Sequence, residues 1–274
     1  MARLLNVSRS GFYAWEQGQK CPSGKRIEEN ALIDKELEDI CQSESRGTYG
    51  SRRYRDTLRS RGFKVGRSRV RRRMRQLQIE PKKRRRFKAT TNSKHDLPIA
   101  PNLLNREFNV STPNRAWVGD ITYVAIGDGW GYMATVIDLH SRKIVGWAFN
   151  TRMTADLVVR AFLMAVWNRW PSEGLIFHSD RGSQYASEAF RAVLKKWRCS
   201  QSMSRKGDCW DNAVAESFFR SIKVECLCHE RFTDPRIAEL KIFEYIAWYN
   251  RIRAHSACGG IAPDKYENSY RLCA

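Results

Sequence analysis

Three carboxylates stand where their chemistry is hard to explain by solvation alone. Asp120 sits mid-strand in Val118-Gly119-Asp120-Ile121-Thr122, where an ionised side chain is costly unless it is paired, solvated or bound to a cation. Asp180 follows the apolar Leu175-Ile176-Phe177 in His178-Ser179-Asp180-Arg181-Gly182, at the carboxyl end of a short strand, where α/β sheets place their sites. Glu216 belongs to the first turn of a helical segment, Asn212-Ala213-Val214-Ala215-Glu216-Ser217-Phe218-Phe219. Two strands and a helix bring three hard oxygen donors toward one site, a set suited to Mg²⁺ or Mn²⁺. Between the aspartates lie 59 residues, and between Asp180 and Glu216 lie 35.

Lys223, seven residues after Glu216, returns to nearly the same helix face, and Arg220, at four, is also close; taken alone, Lys223 is equally a solvent-facing lysine. His178 shares the strand face of Asp180 and is a candidate proton shuttle, although a hydrogen-bonded structural histidine is the favoured role. Asp128 fits a turn, and side chain to backbone bonding at a hairpin corner suffices for Asp138. Cys226-Leu227-Cys228-His229 is spaced too tightly for zinc and lacks a second ligand pair. Trp248, Tyr249, Arg251 and Arg253 either grip DNA or, more commonly for such a set, pack a terminal helix.

The elements that must position these groups are legible in the patterning. Residues 117–126, 132–139 and 143–149 alternate and are β-rich, with turns at Asp128-Gly129 and His140-Ser141-Arg142, which predicts an antiparallel meander. Residues 154–170 form a helix with Leu157, Val158, Ala161, Phe162, Ala165 and Val166 on its apolar side, ended by Pro171 and Gly174. A right-handed crossover then sets the fourth strand, around 175–177, parallel to a member of the meander. Helices follow over 187–197, from a cap at Asp211-Asn212 to about 226, and over 235–248.

Charge separates the front of the chain from the rest. The net charge is +20, and the 43 residues from Arg46 to Lys88 hold 19 basic and two acidic residues. Apolar residues keep helical spacing inside this block, so it is a folded basic module facing a polyanion, with nucleic acid the best candidate. An amphipathic helix over residues 26–41, through Ile27, Ala31, Ile33, Leu37 and Ile40, precedes two short helices at 51–60 and 67–76 around a glycine-bracketed turn. This is the pattern of a helix-turn-helix. Its candidate DNA contacts are Arg52, Arg53, Arg67, Arg69, Arg71 and Arg72. Pro81-Lys82-Lys83-Arg84-Arg85-Arg86 opens a linker able to track phosphates. The longest apolar run, Ala161 to Trp167, is far too short to cross a bilayer, and the start shows no signal-peptide stretch. The expected compartment is therefore the cytoplasm, and the eight scattered cysteines are expected to be reduced thiols.

Several stretches together, in order along nearly the whole chain, carry a resemblance: Ser45-Arg46-Gly47-Thr48-Tyr49-Gly50-Ser51-Arg52-Arg53, Trp117 to Tyr123, Ile137 to Trp147, His178 to Tyr185, Asp211 to Phe219, and Tyr249-Asn250. The chain resembles insertion-sequence transposases with an Asp, Asp, 35-residue, Glu motif, members of the retroviral-integrase superfamily. It is most similar to the second-frame product of bacterial elements that encode their transposase in two overlapping frames. The resemblance implies an α/β fold: a ribonuclease H-like mixed sheet, with a three-stranded antiparallel meander plus parallel strands, flanked by helices behind an all-α helix-turn-helix region. The expected boundaries are a leader at 1–25, a helical DNA-binding region at 26–80, a basic linker at 81–112, a catalytic core at 113–228 and a helical extension at 229–274. The implied reaction is nicking at an element end to free a 3′ hydroxyl, then attack of that hydroxyl on another phosphodiester. The resemblance also implies two Mg²⁺ or Mn²⁺ ions, about 4 Å apart, that would serve both displacements, with Asp120 expected to bridge them and Asp180 and Glu216 each to complete one shell. Lys223, with Arg220 nearby, is implied to contact element-end DNA near the cut. The implied partners are DNA at the element ends and target, further copies of the chain, and an upstream-frame product or frameshift fusion, with no membrane involved and a nucleoid-associated location. A non-catalytic DNA-binding repressor and a nuclease of the same fold that never joins strands are the alternatives.

Overall fold

The computed structural model describes residues 8–20, 24–82, 97–205 and 209–273, which form two compact units, Met1–Pro81 and Lys82–Ala274. The basic residues 83–86 expected to open the linker lie outside the described residues. No helix among the described residues is long and apolar enough to cross a membrane, and Cys41, Cys199 and Cys258 are free thiols.

In the first unit, α1 (Arg9–Lys20) starts with the Ser8 hydroxyl accepting from the Gly11 amide at 2.9 Å. Helix α2 (Gly24–Asp39) is the expected amphipathic helix, but only its second half is covered. Ile33 and Leu37, with Ile40 just beyond, are buried, whereas Ile27 and Ala31 are exposed. Its partners α3 (Ser51–Ser60) and α4 (Arg67–Gln76) are ten residues each, about 15 Å long, and too short to cover a 16-residue helix. Tyr54, Leu58, Val70 and Met74 close the small core, and the Tyr54 hydroxyl donates to Ser45 Oγ at 3.3 Å.

Helix α2 also supplies counter-charge. Arg73 bonds Asp34 at 2.6 Å, Arg69 bonds Asn30 at 2.9 Å and Glu29 at 3.1 Å, and Arg61 pairs with Glu36, Asp39 and Glu44. The basic block is thus sorted: some arginines hold the unit together, while Arg52, Arg67, Arg71 and Arg72 remain exposed.

The second unit is built on a five-stranded sheet. Strands β1 (Ala116–Ile126), β2 (Gly129–Asp138) and β3 (Ile144–Asn150) form the expected antiparallel meander. Helix α5 (Ala155–Arg169) crosses over to β4 (Ile176–Ser179), which lies parallel to β1. Beyond β4, the four-residue α6 (Ser183–Ala186) and α7 (Glu188–Lys196) lead to β5 (Ser200–Met203), and the sheet order is β3-β2-β1-β4-β5. The apolar side of α5 meets Trp117, Phe177 and Phe190 in a closed core. The approach of α5 to β3 is so tight at Gly146 that a Cβ there would overlap the Ala161 carbonyl. Glycine is required at that position by proximity.

Helix α8 (Ala213–Glu225) packs against β1 on the opposite face of the sheet. The chain then continues through α9 (Pro235–Arg251) and a further helix that the sequence pattern did not separate, α10 (Pro263–Cys273). The Tyr249-Asn250 pair docks α9 on the sheet edge: the Asn250 carboxamide accepts from the Ile144 amide and donates to the Ile144 carbonyl, both at 2.9 Å. Arg253, buried, donates to Glu225 at 2.7 and 2.8 Å and lies over the Tyr249 ring, and the Tyr245 hydroxyl joins at Glu225. The aromatic and basic residues at the end of α9 therefore pack the helix, apart from the exposed Arg251.

Candidate active site

The register of β1 and β4 brings the two aspartates to the carboxyl end of their ladder. Gly119 faces Ser179 at the last rung of the parallel ladder, and each aspartate is the next residue along its chain, Asp120 still within β1 and Asp180 just past the end of β4. Alternation turns Trp117 toward the α5 core and Asp120 toward the face covered by α8. The start of α8 is tied there by Asn212, whose carboxamide reaches the Gly119 carbonyl at 3.5 Å. Glu216, in the first turn, is exposed on this side, while Asp120 and Asp180 are half-buried.

Electrostatics link the other two carboxylates to Asp120. Burial pushes the Asp120 carboxyl well above the usual carboxylate range, the charges of Asp180 and then Glu216 push it further, and the Lys223 ammonium offsets part of the rise. Burial raises Glu216 as well, against the pull of Arg220. Lys223, half-buried, is lowered by desolvation and held up in part by Cys228 and Asp120.

The acids share a face without closing into a cage. Among the described residues no three His, Cys, Asp or Glu side chains gather as a metal-holding group. Each aspartate is turned to a backbone donor. Asp120 Oδ1 accepts from the Ile121 amide at 2.7 Å and Asp180 Oδ1 from the Gly182 amide at 2.9 Å.

His178 is fully buried, with Nδ1 at 2.8 Å from Ser202 Oγ and Nε2 at 3.3 Å from Ser204 Oγ. Both ring nitrogens are thus engaged within the sheet, the structural role that the sequence favours. Desolvation lowers its pKa from 6.5 to about 4. The unfolded chain therefore binds an extra proton between those values, so this stability is complete above pH 6.5 and is lost as pH falls toward 4. The span corresponds to about 3 kcal/mol. Denaturant unfolding across that window should show this slope in the wild type and a flatter one in His178→Gln; equal slopes would contradict it.

Other groups in the site were not signalled by spacing. Asp211, expected to cap α8, makes no such bond. It is buried and accepts from Arg106 Nε at 2.7 Å, the Arg205 amide at 2.8 Å, and Asn102 Nδ2 and Arg205 Nε at 3.0 Å. These donors hold its carboxyl far below the usual range. Arg106 lies 105 residues away in sequence, which no local pattern reveals. Tyr185 is a buried phenol in the core beneath β1, kept protonated by burial and then by the nearby charges of Asp120 and Asp180. A side chain at Gly119 would overlap the Phe177 ring and stand 3.3 Å from the Tyr185 hydroxyl. Finally, Thr135 pairs with Asp120 across β1 and β2. Its Oγ1 is buried without a hydrogen-bond partner, as is Asn212 Oδ1.

The family comparisons agree with this architecture. An integrase core domain profile matches residues 110–209, a second profile of the same description matches 197–263, and an HTH-like domain matches 28–87. The chain is 43% identical to the insertion element IS600 uncharacterized 31 kDa protein of Shigella sonnei, over 100% of both chains. It is 40% identical to transposase InsF for insertion sequence IS3A of Escherichia coli K12, over 98% of this chain and 93% of that one. A chain of the simian T-cell lymphotropic virus intasome, solved in complex with PP2A regulatory subunit B56 gamma, superposes with a TM-score of 0.51. That match is 15% identical and covers 66% of this chain and 62% of that one, a likeness of fold. The mixed sheet with flanking helices is the ribonuclease H-like integrase architecture, and the chain belongs to the IS3-type insertion-sequence transposases.

Proposed function

We propose that this chain performs DNA transposition by nicking the ends of its element and joining the freed 3′ hydroxyls to target DNA, with Asp120, Asp180 and Glu216 as the catalytic carboxylates. The observation that carries this assignment is the convergence: two aspartates just past the last rung of the β1–β4 ladder and a glutamate from the helix tied to Gly119, with the charges of Asp180 and Glu216 felt at Asp120. Three carboxylates with the oxygens of Thr135 and Asn212 beside them are a hard donor set that fits Mg²⁺ or Mn²⁺. Asp120, central to the cluster, would hold both of two ions, and Asp180 and Glu216 one each. Such ions, when bound, stabilise attacking and leaving oxygens and lower the pKa of the attacking water or hydroxyl. Lys223, half-buried and facing Asp120, sets a positive charge where the phosphate at the cut must lie; Arg220 adds a second, exposed one.

DNA is held by the first unit as well. The exposed Arg52, Arg67, Arg71 and Arg72 contact phosphates or base edges. Arg53 lies 5.5 Å above the Tyr49 ring, and Arg69 is committed to α2. Each lost phosphate contact flattens the plot of log affinity against log salt by about 0.9. Arg71→Ala and Arg72→Ala should each reduce the slope by about that amount, while Arg69→Ala should leave it unchanged. Binding titrations from low to high salt check this, and an equal reduction by Arg69→Ala would contradict the sorting. Assembly of several copies on paired ends, and an upstream-frame product or fusion adding end recognition, belong to the same proposal.

The test is incubation of the protein with end-sequence DNA and Mg²⁺ or Mn²⁺. Nicked ends and joined products are expected, both abolished by chelation. Hydrolysis with no joined product would favour the nuclease alternative, and binding with no cleavage the repressor.

A further inference from the structure

Buried polar atoms in folded proteins nearly always find a partner, so an orphan next to a functional group points to something that arrives with a ligand. Two such orphans flank Asp120. Thr135 is its direct cross-strand neighbour on β2, which places the hydroxyl on the same face of the sheet, and the residue is 1% exposed. Asn212, 4% exposed, stands at the start of α8 with its nitrogen toward the Gly119 carbonyl and its Oδ1 unsatisfied. One orphan comes from the strand paired with β1 and the other from the start of the helix that carries Glu216, so two different elements bring them up to the Gly119–Asp120 segment.

We propose that Thr135 and Asn212 are positioning residues for Asp120, left unsatisfied in the cation-free protein and satisfied when the carboxylate cluster takes up a divalent cation. This rests on the assignment of Asp120, Asp180 and Glu216 as cation ligands. Asp120 spends one oxygen on the amide of Ile121, its own neighbour in the chain. The Thr135 hydroxyl is the side-chain donor placed to fix the carboxylate once a cation competes for it. A carboxamide oxygen is a hard acceptor, suited to the cation itself or to its hydration shell. The hydroxyl and the carboxamide would orient a like-charged cluster, and the cation would satisfy the two buried oxygens in turn. Groups that orient metal ligands in this way typically change metal affinity by roughly 10–100-fold when removed.

The two roles, positioning and plain structural support, make opposite statements about the empty protein. Thermal unfolding of the full chain, titrated with Mn²⁺ in the absence of DNA, separates them. Thr135→Val replaces an orphaned hydroxyl by a methyl of the same shape, so the metal-free midpoint is expected to hold or rise. The Mn²⁺ concentration needed to stabilise the protein should increase by roughly 10-fold or more, and Thr135→Ser should restore it. Asn212→Leu should weaken Mn²⁺ stabilisation in the same way, which keeps the test open should Thr135→Val fail to fold. Variants that keep the wild-type Mn²⁺ response overturn the inference and leave the cation assignment standing; that is also the outcome if ordered water satisfies both atoms in the empty protein. A fall in metal-free stability with no change in Mn²⁺ response makes both residues structural. A wild type with no Mn²⁺ response, equal to Asp120→Asn, overturns the cation assignment and this inference with it.

Discussion

Asp120→Asn should lower both cleavage and strand transfer by roughly 10³-fold or more, the scale on which groups that stabilise only the transition state are felt. That is about 4 kcal/mol of lost stabilisation. The fold should survive, because an amide matches the carboxylate in shape and removes an ionised group that burial, Asp180 and Glu216 all disfavour. Metal-free stability is therefore expected to hold or increase, and DNA binding to persist through the arginines of α3 and α4. Circular dichroism, a binding titration and a cleavage assay on one preparation settle the point. Activity within a factor of ten of wild type would remove Asp120 from the chemistry, and unfolding of the variant would assign it a structural role.

The second large effect is on stability and lies far from the carboxylates. Arg169, at the end of α5, is 4% exposed. It donates to Glu267 of α10 at 2.6 and 2.9 Å and reaches Asp138 at 3.4 Å, both carboxylates being almost wholly buried. Asp138 also accepts from the Asn114 and His140 amides at 2.8 Å, and Glu267 from the Ser141 hydroxyl at 3.0 Å. The network closes the β2–β3 corner and fastens α10 to it. Arg169→Ala leaves two buried carboxylates without their cation, which should cost roughly 3–5 kcal/mol. In a unit of this size the midpoint should fall by about 6–20 °C. Thermal denaturation checks it, and a loss under about 1 kcal/mol, the range of a surface pair, would show that the network relaxes or admits water.

How far the sequence foretold these features depends on how local their causes are. The meander was legible because β1 to β3 alternate with period two around clear turns, and α5 because Leu157 to Val166 mark one face. Strand β5 is Ser-Gln-Ser-Met: its hydroxyls serve neighbours, with Ser202 bonding His178 and the Leu103 amide, and no apolar pattern announces it. Helix α10 is held by Glu267, a carboxylate that reads as a surface residue until Arg169 is placed beside it. The acids proposed as catalytic were legible by type and spacing, because an aspartate in the middle of an apolar strand demands a reason. Thr135 and Asn212 were not, since a threonine in a strand and an asparagine at a helix start are ordinary until register sets the first opposite Asp120 and a hydrogen bond sets the second on the Gly119 carbonyl. The arginine-rich α4 announced a polyanion, yet only the fold shows that Arg69 and Arg73 answer to α2.

The central claim, that Asp120, Asp180 and Glu216 hold the ions that drive the reaction, is tested most directly by anomalous diffraction from the protein crystallised with end-sequence DNA and Mn²⁺. Anomalous peaks within coordination distance of Asp120, shared with Asp180 and Glu216 and absent in Asp120→Asn, are the predicted result. Manganese bound elsewhere on the chain, with these three side chains left apart in the presence of DNA, would contradict it.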